Sequence, residues 1–327
     1  MPCPAHRPLI FADRAESIAI TGQGTLDGNG SWWWVQHRNR SLAHPRPRFV
    51  GLQHCRHVLI EQVRFCNSPS WTINPVYCDQ VVISQITVTN PANSPNTDGI
   101  NPDSCRNVHI SNCHVDVGDD CITLKSGMEG RLPRVPCENI VITNCTMVHG
   151  HGGVVIGSEM SGGIRNVTIS NCVFLGTDRG IRIKTRRRRG GMVENIRVSN
   201  IIMEKVLCPL VINMNYWGKT TEQDCWVWDE TPYPVDEGTP VIRHISLSQI
   251  TAREIRAAAI FISGLPEMPL RQISLSDVAI EMAEDAEPGR VAMMYHLDRM
   301  AGQGLIARHT NGLSLHHVRI EGSRGEA

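Results

Sequence analysis

NVHISNCHV at residues 107–115, NIVITNCTM at 139–147, NVTISNCVF at 166–174 and NIRVSNIIM at 195–203 are four copies of one phrase. Each alternates apolar with polar residues and is rich in Val, Ile and Thr, the pattern of a strand with one buried face. From Val81 through Val108, Ile140, Val167 and Ile196 the phrase recurs at steps of 27, 32, 27 and 29 residues. Such steps are too long for hairpins and too regular for independent loops, and they fit one turn of a solenoid built from several short strands. Weaker copies begin at Ser17, His57, Gln80, His244, Gln272 and Gly312, so the repeat runs through almost the whole chain. The reading is all-β: a parallel β-helix, one domain over residues 1–327.

Stacked coils bring equivalent residues into columns about 4.8 Å apart. The phrase supplies a polar column, Asn112, Asn144, Asn171 and Asn200, and beside it an interior column, Cys113, Cys145 and Cys172. Ser-Asn pairs also mark ordinary turns, but a turn signal does not call for the Cys that follows. Most of the 12 cysteines are therefore expected to be free and buried, because a chain of 327 residues does not need disulfide stapling.

Lys and Arg, 32 in all, are balanced by 32 Asp and Glu, so net charge gives no basis for nucleic-acid binding. No apolar run approaches the roughly 18–20 residues of a membrane span, and MPCPAHRPLIF at the start lacks a charged segment followed by an apolar one. The chain as given is expected to carry neither a membrane span nor an export signal.

Counting eight residues on from Asn112, Asn144 and Asn171 gives Asp120, Gly152 and Arg179, so DDCITLKSG, HGGVVIGSE and DRGIRIKTR lie over one another. Matching TDGI to DDCI puts Asp98 in the column of Asp120, after a short insertion, PANSPN. Three carboxylates, Asp98, Asp119 and Asp120, then share two adjacent coils with His151 next to them. Arg182 and Lys184 lie two residues apart on one strand face, with Lys125 in the Lys184 column. Close carboxylates repel and keep one member protonated at mild pH, which suits splitting a glycosidic bond: one group protonates the leaving oxygen while another activates water. Arg182 and Lys184 suit a substrate that carries carboxylate. Taken singly, each feature has a plainer reading. Asp-Asp pairs occur in turns, Arg and Lys occupy solvated strand faces, and His149 with His151 reads equally as a loop or a metal pair. Convergence on consecutive coils favours the joint reading.

NTDGI, GDDCI, GHGG and RIKT, in this order, resemble the polygalacturonases of glycoside hydrolase family 28. The resemblance takes in GQGTLDGNGSWWW, NSPSW at residues 67–71 and SPNTDGINPDSC at 94–105, and covers roughly residues 8–285. It implies a right-handed helix that hydrolyses α-1,4 galacturonosidic bonds of pectin or oligogalacturonates with inversion, without a cofactor or metal. It implies that Asp119 is the general acid, that Asp98 and Asp120 hold and activate water, and that His151 supports the acid's protonation. Arg182 and Lys184 then grip the galacturonate carboxylate, and Asn96 is a substrate contact. One tension accompanies it. Inverting enzymes separate their carboxyl groups by roughly 6.5–9.5 Å, whereas neighbouring columns place these nearer 5 Å.

GSEMSGG and RIKTRRRRGG look closer to bacterial exo-acting members, with endo action or a rhamnogalacturonan-type substrate as alternatives within the family. A non-catalytic carbohydrate-binding β-helix is a second class of reading, and a calcium-dependent pectate lyase a third. The tract Arg186–Arg189 is expected to be an exposed charged loop. An aromatic-rich insertion over 206–240 carries Tyr216, Trp217, Trp226, Trp228 and Tyr233; these, like Trp32, Trp33 and Trp34, could wall a groove, form a lid or meet another subunit. The resemblance begins so early that the family's usual N-terminal segment is expected to be missing, leaving an end that a second copy of the chain could cover. Family members are usually secreted or periplasmic, whereas the signal-free start also fits the cytoplasm.

Overall fold

The structure, a computed structural model, describes residues 5–324. The strands stack in parallel throughout, as a right-handed β-helix. The register is the one the repeat predicts: Val81 pairs with Val108, Val108 with Ile140, Ile140 with Val167 and Val167 with Ile196. The weaker copies join the same column, from Ile18 opposite Val58 at one end to Ile273 opposite Leu313 at the other. Their apolar residues form one core running along the axis, in which Cys113, Cys145 and Cys172 are buried. Every cysteine among the described residues is free; Cys225 is exposed and Cys66 half-buried.

The backbone explains why Asn recurs. Asn107, Asn139, Asn166 and Asn195, which open the four clear copies, and Asn112, Asn144, Asn171 and Asn200, five residues on, all have φ between 54° and 58°. That left-handed conformation is one that Asn tolerates better than other non-glycine residues. The coil turns a corner at each. The more continuous amide ladder is the first column: Asn139 donates to Asn107, Asn166 to Asn139 and Asn195 to Asn166, at 3.1–3.3 Å. In the expected column Asn200 donates to Asn171 at 2.8 Å, while Asn171 turns to the Thr143 hydroxyl.

A six-stranded face positions the site: Asp120–Leu124, Gly152–Gly157, Arg179–Lys184, Cys208–Asn213, Ala258–Ser263 and Gln303–Arg308. Single bridges from Ile100 to Ile73 and Ile122 link it to a three-stranded face, Ile10–Asp13, Val50–Gln53 and Ile73–Val76. Five consecutive strands, from 120–124 to 258–263, are buried at every residue. Part of their outer surface is covered by a second apolar cluster, in which Val291, Ala292 and Met294 pack on Cys208, Val211, Ala258 and Phe261.

Two expectations change here. Residues 208–213 form a regular strand, so the irregular insertion begins after Asn213. The arginine tract is largely buried: Arg186, Arg187 and Arg189 are 5%, 5% and 1% exposed. Arg186 and Arg189 pair with Glu129, and Arg187 pairs twice with Glu267, at 2.6 and 2.8 Å. Trp226 and Tyr233 lie under Arg186, Arg188 and Arg187. The tract therefore fastens the insertion to the helix instead of presenting charge to solvent. No helix among the described residues is long and apolar enough to cross a membrane.

Candidate active site

A cleft of about 590 Å³ opens over the joined faces, with Asp98, Asp119, Asp120, Asn96 and Lys184 in its lining. One oxygen from each of the three aspartates lies within 4.8 Å of the other two. The register accounts for this. Asp120 pairs with Gly152, the Ile100–Ile122 bridge aligns Asp98 with Asp120, and the His151 amide donates to the Asp119 carbonyl at 3.1 Å.

Each carboxylate meets different partners. Asp120 is 2% exposed and accepts from Lys184 Nζ at 2.7 Å and Arg182 Nη1 at 3.3 Å. Burial works against its charge, but Lys184 and then Arg182 outweigh burial and the repulsion of Asp119, holding its pKa below the usual range. Asp119 is likewise opposed by burial and held low by the His151 hydrogen bond and charge, with Lys184 and Arg182 adding to them. Its Oδ1 lies 3.4 Å from His151 Nδ1, and Asn96 Nδ2 donates to its Oδ2 at 3.3 Å. The Asp119 hydrogen bond raises His151. Asp98 differs. Burial and the neighbouring Asp119 push its pKa well above the usual carboxylate value, and Asn101 Nδ2 donates to it at 3.1 Å. Burial thus favours the proton on Asp98, while the hydrogen bond between His151 and Asp119 favours imidazolium and carboxylate together.

Three clustered carboxylates are also a donor set for a hard cation. Here the oxygens already accept from Lys184, Arg182, Asn96 and Asn101, and a cation would have to displace or sit beside the ammonium 2.7 Å from Asp120. His149 lies outside the group and pairs with Asp116 at 2.9 Å.

Arg182 is 2% exposed and sits beneath Asp120 instead of lining the cleft. Of the insertion's aromatics, Tyr216 lines the cleft, 5.5 Å from Lys184 Nζ, whereas Trp226 and Tyr233 serve the arginine tract. The tryptophans of the helix Ser31–Arg38 do not face the cleft. Trp34 is buried and donates to the Ser68 carbonyl, and the helix brings His37 to the rim.

Several lining groups are not among the expected site residues: Arg46, Arg48 and Lys219, and also Trp71 and Glu159, which lie within the quoted NSPSW and GSEMSGG. Arg46 donates to the Pro69 and Pro95 carbonyls and, at 2.6 Å, to Asn96 Oδ1, which turns the Asn96 amino group toward Asp119. Lys125 pairs with Glu159 at 3.1 Å. Counting the Asp120 column backward past Asp98 reaches Trp71 and then Arg48, so the repeat itself points to both.

Fold and cleft define a class: parallel β-helices that gather carboxylates on a lateral face, the equipment of a glycoside hydrolase. The profile of glycosyl hydrolases family 28 matches residues 5–288, and the chain belongs to that family. A probable polygalacturonase of Vitis vinifera is 35% identical over 286 residues, 86% of this chain and 56% of the relative. An exopolygalacturonase from Thermotoga maritima superposes with a TM-score of 0.80 at 30% identity, covering 100% of this chain and 77% of that one. A polygalacturonase from Erwinia carotovora ssp. carotovora, 24% identical with a TM-score of 0.71, shares the fold, with 93% and 73% covered. The chain spans 43–60% of the length of the curated relatives it matches.

Proposed function

We propose that the chain hydrolyses α-1,4 galacturonosidic bonds of pectic polymers or oligogalacturonates, from a chain end and with inversion. The observation that carries this is Asp119 beside Asp98 and Asp120, all within 4.8 Å, in a cleft that Lys184 enters. Asp119 protonates the leaving glycosidic oxygen. Asp120, kept ionised by Lys184 and Arg182, accepts a proton from the attacking water, and Asp98 orients that water. Lys184 holds the galacturonate carboxylate, Arg182 acts through Asp120, and Asn96 touches substrate and Asp119 alike.

The acid's proton comes from the His151–Asp119 pair. In the resting site burial disfavours charge on Asp119, but His151 and Lys184 hold it ionised. A galacturonate carboxylate entering the cleft draws on Lys184 and excludes water, and both changes favour the proton on Asp119.

Likeness to a protein described as an exopolygalacturonase supports action from a chain end. So does the insertion, where Tyr216, Gly218 and Lys219 bound the cleft and Lys219 Nζ reaches to 3.7 Å from Met128 Sδ. Digestion of oligogalacturonates of defined length is the test. Monogalacturonate alone is expected from the first minutes; a spread of oligomers would establish endo action, and no reducing-sugar release would remove the hydrolase reading.

A further inference from the structure

The column carrying Asp120 and Asp98 continues toward the start of the helix. Ile122 pairs with Ile100, Ile100 with Ile73 and Ile73 with Val50, so the residues two before each are Asp120, Asp98, Trp71 and Arg48. All four line the cleft. Coils lie about 4.8 Å apart, so Arg48 leaves the backbone about 10 Å from Asp98 along the axis. That separation takes it past the bond being cut and toward another sugar unit.

Most cleft cations are already engaged. Lys184 is bound to Asp120, Lys125 to Glu159, and Arg46 to three oxygens. Arg48 has no such partner. Among the described residues its guanidinium makes no hydrogen bond or ion pair, although the residue is half-buried. It lies 4.8 Å from the centre of the Trp71 ring, whose centre is 4.6 Å from Lys125 Nζ. Trp71 thus fixes the stem and plane of a cation whose donors remain open toward the cleft. A half-buried guanidinium without an acceptor carries a desolvation cost, and a ligand carboxylate bound through the planar fork offsets it.

We propose that Arg48, oriented by Trp71, binds the carboxylate of a galacturonate unit on the N-terminal side of the cleavage point. Resting on the galacturonan reading above, this makes the cleft recognise two free carboxylates, one at Lys184 and one at Arg48. Methyl-esterified units at the Arg48 position are disfavoured, because an ester removes the charge and one of the two equivalent acceptors.

The test uses trigalacturonate. The wild-type protein must first turn over oligogalacturonates; failure there removes the galacturonan reading itself. Given turnover, calorimetric titration of D119N is expected to show binding about tenfold tighter than that of D119N/R48Q, and a steeper loss of affinity with added salt. In turnover, R48Q raises KM with kcat within about threefold, a split that a distorted catalytic centre does not give. Equal affinities for D119N and D119N/R48Q overturn the proposal, as does a fall in kcat at unchanged KM. Where R48Q does not fold, R48K carries the comparison: it keeps charge but lacks the fork, and is expected to bind about threefold more weakly. Affinity equal to that of Arg48 overturns bidentate recognition.

Discussion

The Lys184 ammonium lies 2.7 Å from the Asp120 carboxylate, two coils away, and both side chains are buried, at 8% and 2% exposure. Parallel stacking makes the pair possible: Asp120 pairs with Gly152, and Gly157 on that same intervening strand pairs with Lys184. Substituting Lys184 with Met leaves a buried charge with Arg182 alone. Asp120 is held below its usual pKa, so its share of stability is present above about pH 4 and lost as pH falls through the folded value. K184M is therefore expected to destabilise by about 3 kcal/mol at pH 7 and by less near pH 3, as chemical denaturation at the two pH values will show.

D119N should abolish turnover while the fold persists. An amide cannot deliver the proton to the leaving oxygen, and general acid catalysis contributes about 10²–10⁴-fold. Circular dichroism unchanged alongside a kcat lowered at least about 100-fold is the expected result. Activity above a tenth of wild type would remove Asp119 from that role.

The His151–Asp119 pair sets a pH window. His151 is raised, so its contribution is complete below its unfolded value near 6.5 and disappears as pH climbs through the folded value. Asp119 is lowered, so its contribution is present above about 4 and disappears as pH falls through its folded value. The two coexist between those limits. The His151 side chain is 50% exposed, which limits the gain to a surface-like magnitude. H151N is expected to lower the melting temperature most near pH 5 and least above pH 8. In turnover it should reduce kcat and shift the alkaline limb of the pH profile, which a merely local packing change would not do.

Much of the fold was legible because the physics of stacking is periodic. One strand phrase fixes a corner, a register and the columns on either side, so the partners of Val108 or Ile140 follow by counting. The carboxylate cluster was legible for the same reason. What the period could not show was what covers each face. Arg182 looked like a cleft residue because it alternates with Ile181 and Ile183, but its strand is buried at every residue and its guanidinium ends beneath Asp120. The arginine tract likewise depends on Glu267, 80 residues away from Arg187 in the loop between strands 258–263 and 270–282, and on the Trp226 and Asp229 carbonyls of an insertion that obeys no repeat.

Gly150 explains why the motif before His151 needs glycine. Its φ is +75°, and a Cβ there would collide with the Asp119 carbonyl oxygen. G150A is expected to cost about 1–3 kcal/mol and to displace the acid from its partners. The useful readout is kcat measured well below the melting temperature. A stable G150A protein with wild-type kcat would show that Asp119 tolerates the shift.

The separation of the carboxylates bears on stereochemistry. Oxygens of Asp119, Asp98 and Asp120 approach within 4.8 Å, near the roughly 5 Å typical of retaining enzymes and below the roughly 6.5–9.5 Å typical of inverting ones. A nucleophilic role for Asp120 is disfavoured by geometry, because Arg182 holds its Oδ1 and Lys184 its Oδ2, fixing the carboxylate in place. Asp98 is disfavoured because burial and the neighbouring Asp119 push its pKa up and weaken it as an anion. Neither carboxylate is thus suited to attack the anomeric carbon, whereas their oxygens, within 4.8 Å of each other, can both hydrogen-bond one water. Direct attack by that water inverts the α-linkage, so proton NMR of the first-formed sugar is expected to show the β-anomer ahead of mutarotation. If the α-anomer came first, a covalent intermediate would be required, and Asp98 or Asp120 would have to be its nucleophile.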